Sequence, residues 1–529
     1  MNTDIFARFP AYDEQQLEAA TDQKNPAIRL YGRRFYKDQT PVEYLAELLL
    51  VFASAKSMGS DALVEQGKFG FSVSTTHSPC YFPEDRVALK LFSFFPSSKL
   101  ETRHPIHHDA YKKATQMLGS KILSDEDIEQ KEEAIRLLQG LFNGFVGVAK
   151  NRTWVTHSFL PASAALLSRE VSWLHIDAKN KDLKSWRDLT DNRLFDTDRH
   201  NFMARGGELL FLQLANLFSD TNTAEITEML TFPAYAHIKN IDISQLKSLL
   251  ENSLKQMLTE NMASLGCLVT LIEEILSDFT LSKSLKRASL GWVPVCTKPE
   301  ALLFAIEMHN ICDAKLNALE KIELLQTLCS MHVLRSLCFQ GRRIDEAENQ
   351  TEGFIGNYAW IAADIEASID NPIRQMAEHS FVYIEALLYR VLRSKSLISK
   401  IEPPISISEA DKHGFQIFRK IAKDIGLVIP RKGKGQRFTL HQGLLRFLVA
   451  ALLKPNERVR LPEFYRRVFA HYGLALTGKE LLIALQWSGS ELGHHAYAVS
   501  SNTTWIEEAL QQGGFLIELS DAVSMVHNP

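Results

Sequence analysis

Apolar positions recur every three to four residues along most of this chain, and that spacing predicts helices. Pro41 can open the first of them, over residues 42–55, with Tyr44, Leu45, Leu48, Leu49 and Phe52 on one face. Residues 69–73 alternate and residues 87–92 are almost wholly apolar, so both read as strands, with Pro79 and Pro83 in the loop between them. Residues 125–142 return to helical spacing, with Ile128, Ala134, Ile135, Leu138 and Leu141 on one side. From 151 to 400 the spacing predicts helix after helix: 162–176, 207–218, 243–258, 262–279, 299–309, 314–337 and 372–397. Glu170 and Trp173 read as a packed face of the 162–176 helix. No fixed-period repeat appears, which argues against a regular solenoid.

Pro403 and Pro404, followed by Ser406 and Ser408, mark a boundary near 399–408. Beyond it the predicted order is helix 409–425, strand 427–429, a basic loop, and helix 441–453 capped by Thr439. Helices 463–472 and 478–487, strand 496–500, helix 504–511 and strand 515–519 follow. Gly473 is a natural helix stop. Compact helices followed by late strands suit a winged helix. The expected fold is therefore mainly α: a mixed α/β N-terminal domain (1–150), a large irregular helical middle domain (151–400), and a winged-helix-like C-terminal domain (401–529). A length of 529 residues accommodates three or four domains of ordinary size, about 150 residues each.

Composition changes this picture little, but the distribution of charge changes it a good deal. The chain is 45% hydrophobic and 23% charged, with a formal charge of -4. That is ordinary globular composition, and it excludes disordered and collagen-like chains. Between Lys412 and Arg467, however, fourteen basic residues face three acidic ones. This excess of eleven positive charges leaves the remainder at -15. Such segregation is the footprint of a polyanion-binding surface. The residues expected to contact nucleic-acid phosphates are Arg431, Lys432, Lys434 and Arg437 in the glycine-containing loop, then Arg458, Arg460, Arg466 and Arg467. Phosphate contacts of this kind position a protein on DNA without reading sequence. The competing reading is a solvated basic face, or one that docks an acidic protein surface.

Other constellations carry less. His104, His107, His108 and Asp109 have metal-ligand chemistry, but their spacing matches no zinc motif, and adjacent histidines point apart on any regular element. Asp191, Asp196 and Asp198, with Arg199 and His200, could hold Mg²⁺ for hydrolysis, or simply cap and turn a loop. A metal-dependent nuclease or hydrolase using one of these Asp/His clusters is the alternative function. Arg205–Gly206–Gly207–Glu208 opens an apolar helix but is no phosphate-binding signature. There is no GxxxxGK[ST] and no GxSxG, and Ser158 and Cys80 lack a local catalytic partner. Arg33–Lys37 mixes cations and aromatics over too short a stretch to mark a single-strand binder. The six cysteines form no CxxC pair and read as free thiols, and no cofactor is implied. The first residues lack a signal-peptide core and no apolar run reaches about 20 residues, so a cytoplasmic chain without membrane spans is expected.

Two stretches resemble segments of uncharacterised accessory proteins encoded in bacterial antiphage defence gene clusters, beside large helicases or ATPases. They are residues 191–214 (DNRLFDTDRHNFMARGGELLFLQL) and residues 427–476, with LVIPRKGKGQRFTL and RVRLPEFYRRVFAHYGLAL within the second. Together they cover about a seventh of the chain. The resemblance implies a subunit of a multi-protein antiviral system that recognises or restricts foreign DNA, with a helicase or ATPase as partner. It implies no catalytic residue.

Overall fold

In the computed structural model, residues 5–11, 25–32, 35, 38–57, 68–75, 79–98, 104–122, 127–148, 153–179, 181–196, 206–220, 223–281, 287–345, 353–398, 407–488, 503–520 and 523–529 are described. The architecture is mainly helical, with small sheets between the helices. Among the described residues no helix is long and apolar enough to cross a membrane.

The helices expected from apolar spacing form where the spacing is amphipathic. Helix α1 spans Pro41–Ala53, with Pro41 in its first turn and the Thr40 N–H donating to Glu43 Oε2 at 2.7 Å. Several predicted elements differ: the helix expected over 409–425 is two, Ile407–Asp411 and Phe415–Asp424, and the one expected over 372–397 ends at Val391. Residues 87–92 are helix α2 (Val87–Phe94), not a strand. Every residue of α2 is buried, so the helix shows no polar face to reveal its period. Residues 69–73 form no strand; Phe69 sits in a turn with φ +56°. Residues 162–176 are not one helix either. Ala164–Leu166 is a single 3-10 turn, Ser172–Trp173 a two-residue strand and His175–Lys179 a short helix. Helix α3 (Pro105–Ile122) packs on α4 (Ile128–Leu141). Of the apolar face expected on α4, only Ile135 is fully buried, while Ile128 is 78% and Leu141 59% exposed.

The middle of the chain supplies the frame. Helix α5 (Gly206–Ser219) lies against α1. Helices α6 (Ile243–Thr259) and α7 (Ala263–Ile275) follow, then the buried pair α8 (Lys298–Asp313) and α9 (Ala318–Ile344). Strand β1 (Trp360–Ala363) and helix α10 (Pro372–Val391) come next. Past 407 the order is α11 (Phe415–Asp424), β2 (Val428–Ile429), β3 (Arg437–Thr439) and α12 (Gln442–Leu452). It continues with β4 (Arg458–Arg460), α13 (Leu461–Tyr472), β5 (Leu474–Ala475) and α14 (Gly478–Trp487). The chain closes with α15 (Thr504–Gln512), β6 (Leu516–Ser520) and β7 (Val523–His527). The cap of α12 is His441, whose Nδ1 accepts from Gly443 N at 3.1 Å, rather than Thr439. Gly473 ends α13 with φ +65°, a left-handed conformation that glycine adopts without penalty. The strand expected at 496–500 lies outside the described residues.

One sheet runs β2-β3-β1-β5, with β1 parallel to both β3 and β5. It draws strands from both sides of the boundary expected near 400. The boundary expected at 150 is likewise bridged by the ladder between Gly144–Val146 and His157–Phe159. A second sheet, β4-β7-β6, is antiparallel throughout.

A buried polar network joins four helices. Arg335 on α9 is fully buried and pairs in bidentate fashion with Glu307 on α8, at 2.7 and 2.9 Å. It also donates to the His471 carbonyl (3.0 Å) and to His332 Nδ1 (3.2 Å), and its guanidinium lies 4.9 Å from the Tyr472 ring centroid. Because Nδ1 of His332 accepts, its Nε2 donates to Gln213 Oε1 on α5 at 2.8 Å. His471 Nδ1 in turn donates to Glu307 Oε1 at 2.7 Å, and its Nε2 faces His237 Nε2 at 2.9 Å. Burial alone would raise the Glu307 carboxyl, but the Arg335 guanidinium and His471 overcome this and hold it below the usual range. Burial pushes the His332 imidazole well down, with Arg335 adding to the effect.

Candidate nucleic-acid interface

The eight cations expected to meet phosphates divide into three groups. Arg431, Lys432 and Lys434 are exposed in the turn between β2 and β3, and none forms an ion pair with a described residue. Gly433 (φ +101°) and Gly435 (φ +73°) let the turn reverse twice within a few residues, which sets the three side chains outside the protein body. Arg458 and Arg460 are also exposed, without an ion-pair partner among the described residues. They alternate with buried Val459 along β4, so both point to the solvent side of the second sheet. Arg466 is exposed on α13 but paired with Glu463.

The other two are structural. Arg437 is buried and donates to the Ile365 carbonyl at 2.8 Å. Burial, and then the neighbouring Arg374, press its guanidinium pKa downward. Arg467 is buried too, held by Glu457 (2.8 Å), Glu463 (3.2 Å) and the Leu452 carbonyl (3.2 Å). Both therefore leave the set of expected phosphate contacts. A guanidinium inside the fold satisfies internal acceptors, and extracting it would leave those acceptors unpaired. Two further cations of the basic stretch are neutralised locally, Lys420 by Asp424 (2.6 Å) and Arg446 by Glu320 (2.6 Å). The free footprint is therefore smaller than the charge count along the sequence. We expect Arg467→Leu to lower the thermal midpoint, since it takes the guanidinium away from Glu457, Glu463 and the buried Leu452 carbonyl, and to leave the salt dependence of any DNA binding unchanged. Melting curves and a salt titration on that variant check both halves.

The histidine and aspartate clusters do not assemble into metal sites. His107 is fully buried and its ring meets those of Trp154, Trp173, Trp186 and Phe195. His108 and Asp109, next along the same helix, face solvent. The two adjacent histidines thus point apart, as their spacing requires. Asp191 is exposed and lies 3.9 Å from Arg187, and Asp196 is half-buried in a two-residue strand. Asp198, Arg199, His200 and Arg205 lie outside the described residues, as do Arg33, Arg34, Tyr36 and Lys37. Among the described residues no group of three His, Cys, Asp or Glu side chains is placed to hold a metal ion. All six cysteines are free thiols, five of them buried.

Two features have no signature in the sequence. One is the Glu307–Arg335–His471 network, whose members are separated by up to 164 residues. The other is an acidic wall around α1, where buried Glu43 and half-buried Glu47 and Glu170 line one cavity. Lys90, on the helix whose apolar run reads as a strand, is completely buried nearby and donates to the Arg169 carbonyl at 2.6 Å. An i, i+4 pair of glutamates on α1 is the only local hint of that wall. The chain matches no family model, no curated protein and no solved structure.

Proposed function

We propose that this chain is a non-enzymatic subunit that binds DNA through its phosphates, within an antiviral assembly of the kind the resembling segments imply. The observation that carries the reading is the set of exposed cations Arg431, Lys432 and Lys434 on a glycine-hinged turn, none of them ion-paired with a described residue. Cations held clear of the protein body can approach a phosphate backbone and release its counterions.

The surrounding architecture supports the reading. The order α12–β4–α13–α15–β6–β7, with strands paired β4-β7-β6, suits a winged helix that would carry β5 and α14 as an insertion. In such a unit the helix before the hairpin enters the groove. Here that helix is α15, which has no Lys or Arg and exposes Glu508, with Glu507 half-buried beside it. Two carboxylates facing phosphates are repelled, so contact runs through the β2–β3 turn and β4 instead, and binding is insensitive to sequence. The exposed apolar side chains Leu137 and Leu141, one turn apart on α4, suit the scaffolding side of the same role, a face for a partner protein such as a helicase or ATPase.

The test is fluorescence anisotropy on the full chain with duplex and single-stranded DNA across a salt series. The triple variant Arg431→Glu/Lys432→Glu/Lys434→Glu should bind at least tenfold more weakly. Its log–log salt slope on duplex should be shallower by roughly 2.7, about 0.9 for each phosphate no longer neutralised. Unchanged affinity would remove the DNA reading and leave the basic turn as a protein-docking surface.

A further inference from the structure

A cavity of about 30 Å³, partly open to solvent, lies against α1 and far from the basic turn in sequence. Its wall is acidic on one side, with Glu43, Glu47 and Glu170, and apolar on the other, with Phe145 and Phe159. The glutamates differ in how they are engaged. Glu43 is saturated: Oε1 accepts from Val148 N (2.7 Å), and Oε2 from the Thr40 N–H (2.7 Å) and hydroxyl (2.9 Å). Glu47 Oε2 accepts from Gly207 N (2.9 Å) and Gln39 Nε2 (2.7 Å), which fixes the side chain to the start of α5. Glu170 is different. Its Oε2 is buried without a hydrogen-bond partner, and so is the Oγ of Ser168, also on the cavity wall. The Lys90 ammonium acts on Glu170 through its charge, but its hydrogen bonds go to the Arg169 and Val155 carbonyls. Glycine at 147 lets the carboxylates converge, for a side chain there would collide with Oε1 of both Glu43 and Glu170.

Two orphaned acceptors, a surplus of carboxylates and an apolar wall define the occupant by chemistry. It must donate hydrogen bonds, carry positive charge, have a head no larger than a few atoms, and offer methylene groups to the phenylalanines. A metal ion does not fit, because no three ligands among the described residues converge suitably. An anion is repelled. We propose that this cavity binds a small aliphatic primary amine as its ammonium ion, with Glu170 and Ser168 as acceptors and Glu47 supplying a further negative charge. An ammonium has three donors and no acceptor, which matches a wall built of acceptors.

The charged groups around the cavity are Glu43 and Glu47 on α1, Lys90 on α2, Glu208 on α5, Lys420 on α11, and Arg169 beside Glu170. Burial, then Glu43, raises the Glu170 carboxyl; burial, then Glu208 and Glu43, raises Glu47 well above its ordinary value. An arriving ammonium favours the ionised carboxylates, so binding should expel protons to the buffer.

Isothermal calorimetry on the full chain near neutral pH tests this, with n-butylammonium chloride as ligand. n-Butanol serves as the uncharged control and tetramethylammonium as a cation without N–H donors. We expect n-butylammonium alone to bind, with a heat that varies with the buffer's ionisation enthalpy. Glu170→Gln should weaken binding at least tenfold and reduce the proton release. Ala46→Leu, which fills the cavity from a helical position without altering charge, should abolish binding while the circular dichroism stays native. Equal binding of n-butanol would make the cavity a merely apolar cleft. Unchanged binding to Glu170→Gln, or none to the folded wild-type chain, would overturn the site and leave the cavity to water.

Discussion

Replacing Arg335 by leucine should cost roughly 3–5 kcal/mol of stability, the range for removing one partner of a buried ion pair. The side chain is fully buried and holds α8, α9 and α13 together through Glu307, the His471 carbonyl and the Tyr472 ring. Without it the Glu307 carboxylate loses its only guanidinium partner among the described residues, in a fully buried place. Denaturant unfolding of the full chain, followed by tryptophan fluorescence, measures the loss. The double variant Glu307→Leu/Arg335→Leu should recover part of it, because no charge is then stranded. Recovery stays incomplete, since His471 Nδ1 loses its acceptor. An unchanged midpoint in the single variant would mean that the pair is solvated in the folded chain.

A single added methyl at Gly207 should also be severe. An alanine Cβ there would fall on the Tyr44 carbonyl oxygen, 2.5 Å from Glu47 Cβ and 2.8 Å from Leu48 N. Two of those atoms are backbone of α1, so no rotamer change relieves the collision. Helices α1 and α5 would have to separate, at a cost of about 1–3 kcal/mol or more. The hydrogen bond from Gly207 N to Glu47 would stretch as well. Gly140→Ala is the matched control. Nothing lies within 4 Å of the added methyl, and Gly140 sits within α4. That change should stabilise the chain by roughly 0.5–1 kcal/mol through helix propensity and lower unfolded-state entropy. Thermal melts of the two variants should move in opposite directions.

Where one face of a helix is polar, the sequence reveals it: α1, α6 and α13 lie within two residues of their predicted spans. Legibility fails where burial is complete. Helix α2 has no solvent face, so its largely apolar sequence reads equally well as a core strand. Residues 164–173 mislead for a different reason. They pack Leu166, Leu167 and Val171 as an irregular segment whose apolar spacing imitates a helix. The charge asymmetry of the basic stretch is plain in the sequence, but which cations remain free is not. Arg437 and Arg467 look like Arg431 and Arg458 in a string of letters. Only the fold brings Ile365, Leu452, Glu457 and Glu463 to their guanidinium groups. The wall of the amine cavity depends on segments more than a hundred residues apart, and no local pattern reports it.

Strand β1 sits between β3 and β5, yet it precedes both along the chain. On the ribosome, therefore, the centre of this sheet is made first and its flanks last. Until residue 475 has emerged, the segment Trp360–Ala363 has apolar side chains and at least one unpaired backbone edge, the condition under which strands join neighbouring chains. A polypeptide halted before β3 would keep both edges bare. The hazard ends only when the basic turn and α13 have been synthesised, so completion of the sheet and delivery of the exposed cations Arg431, Lys432 and Lys434 are coupled in time.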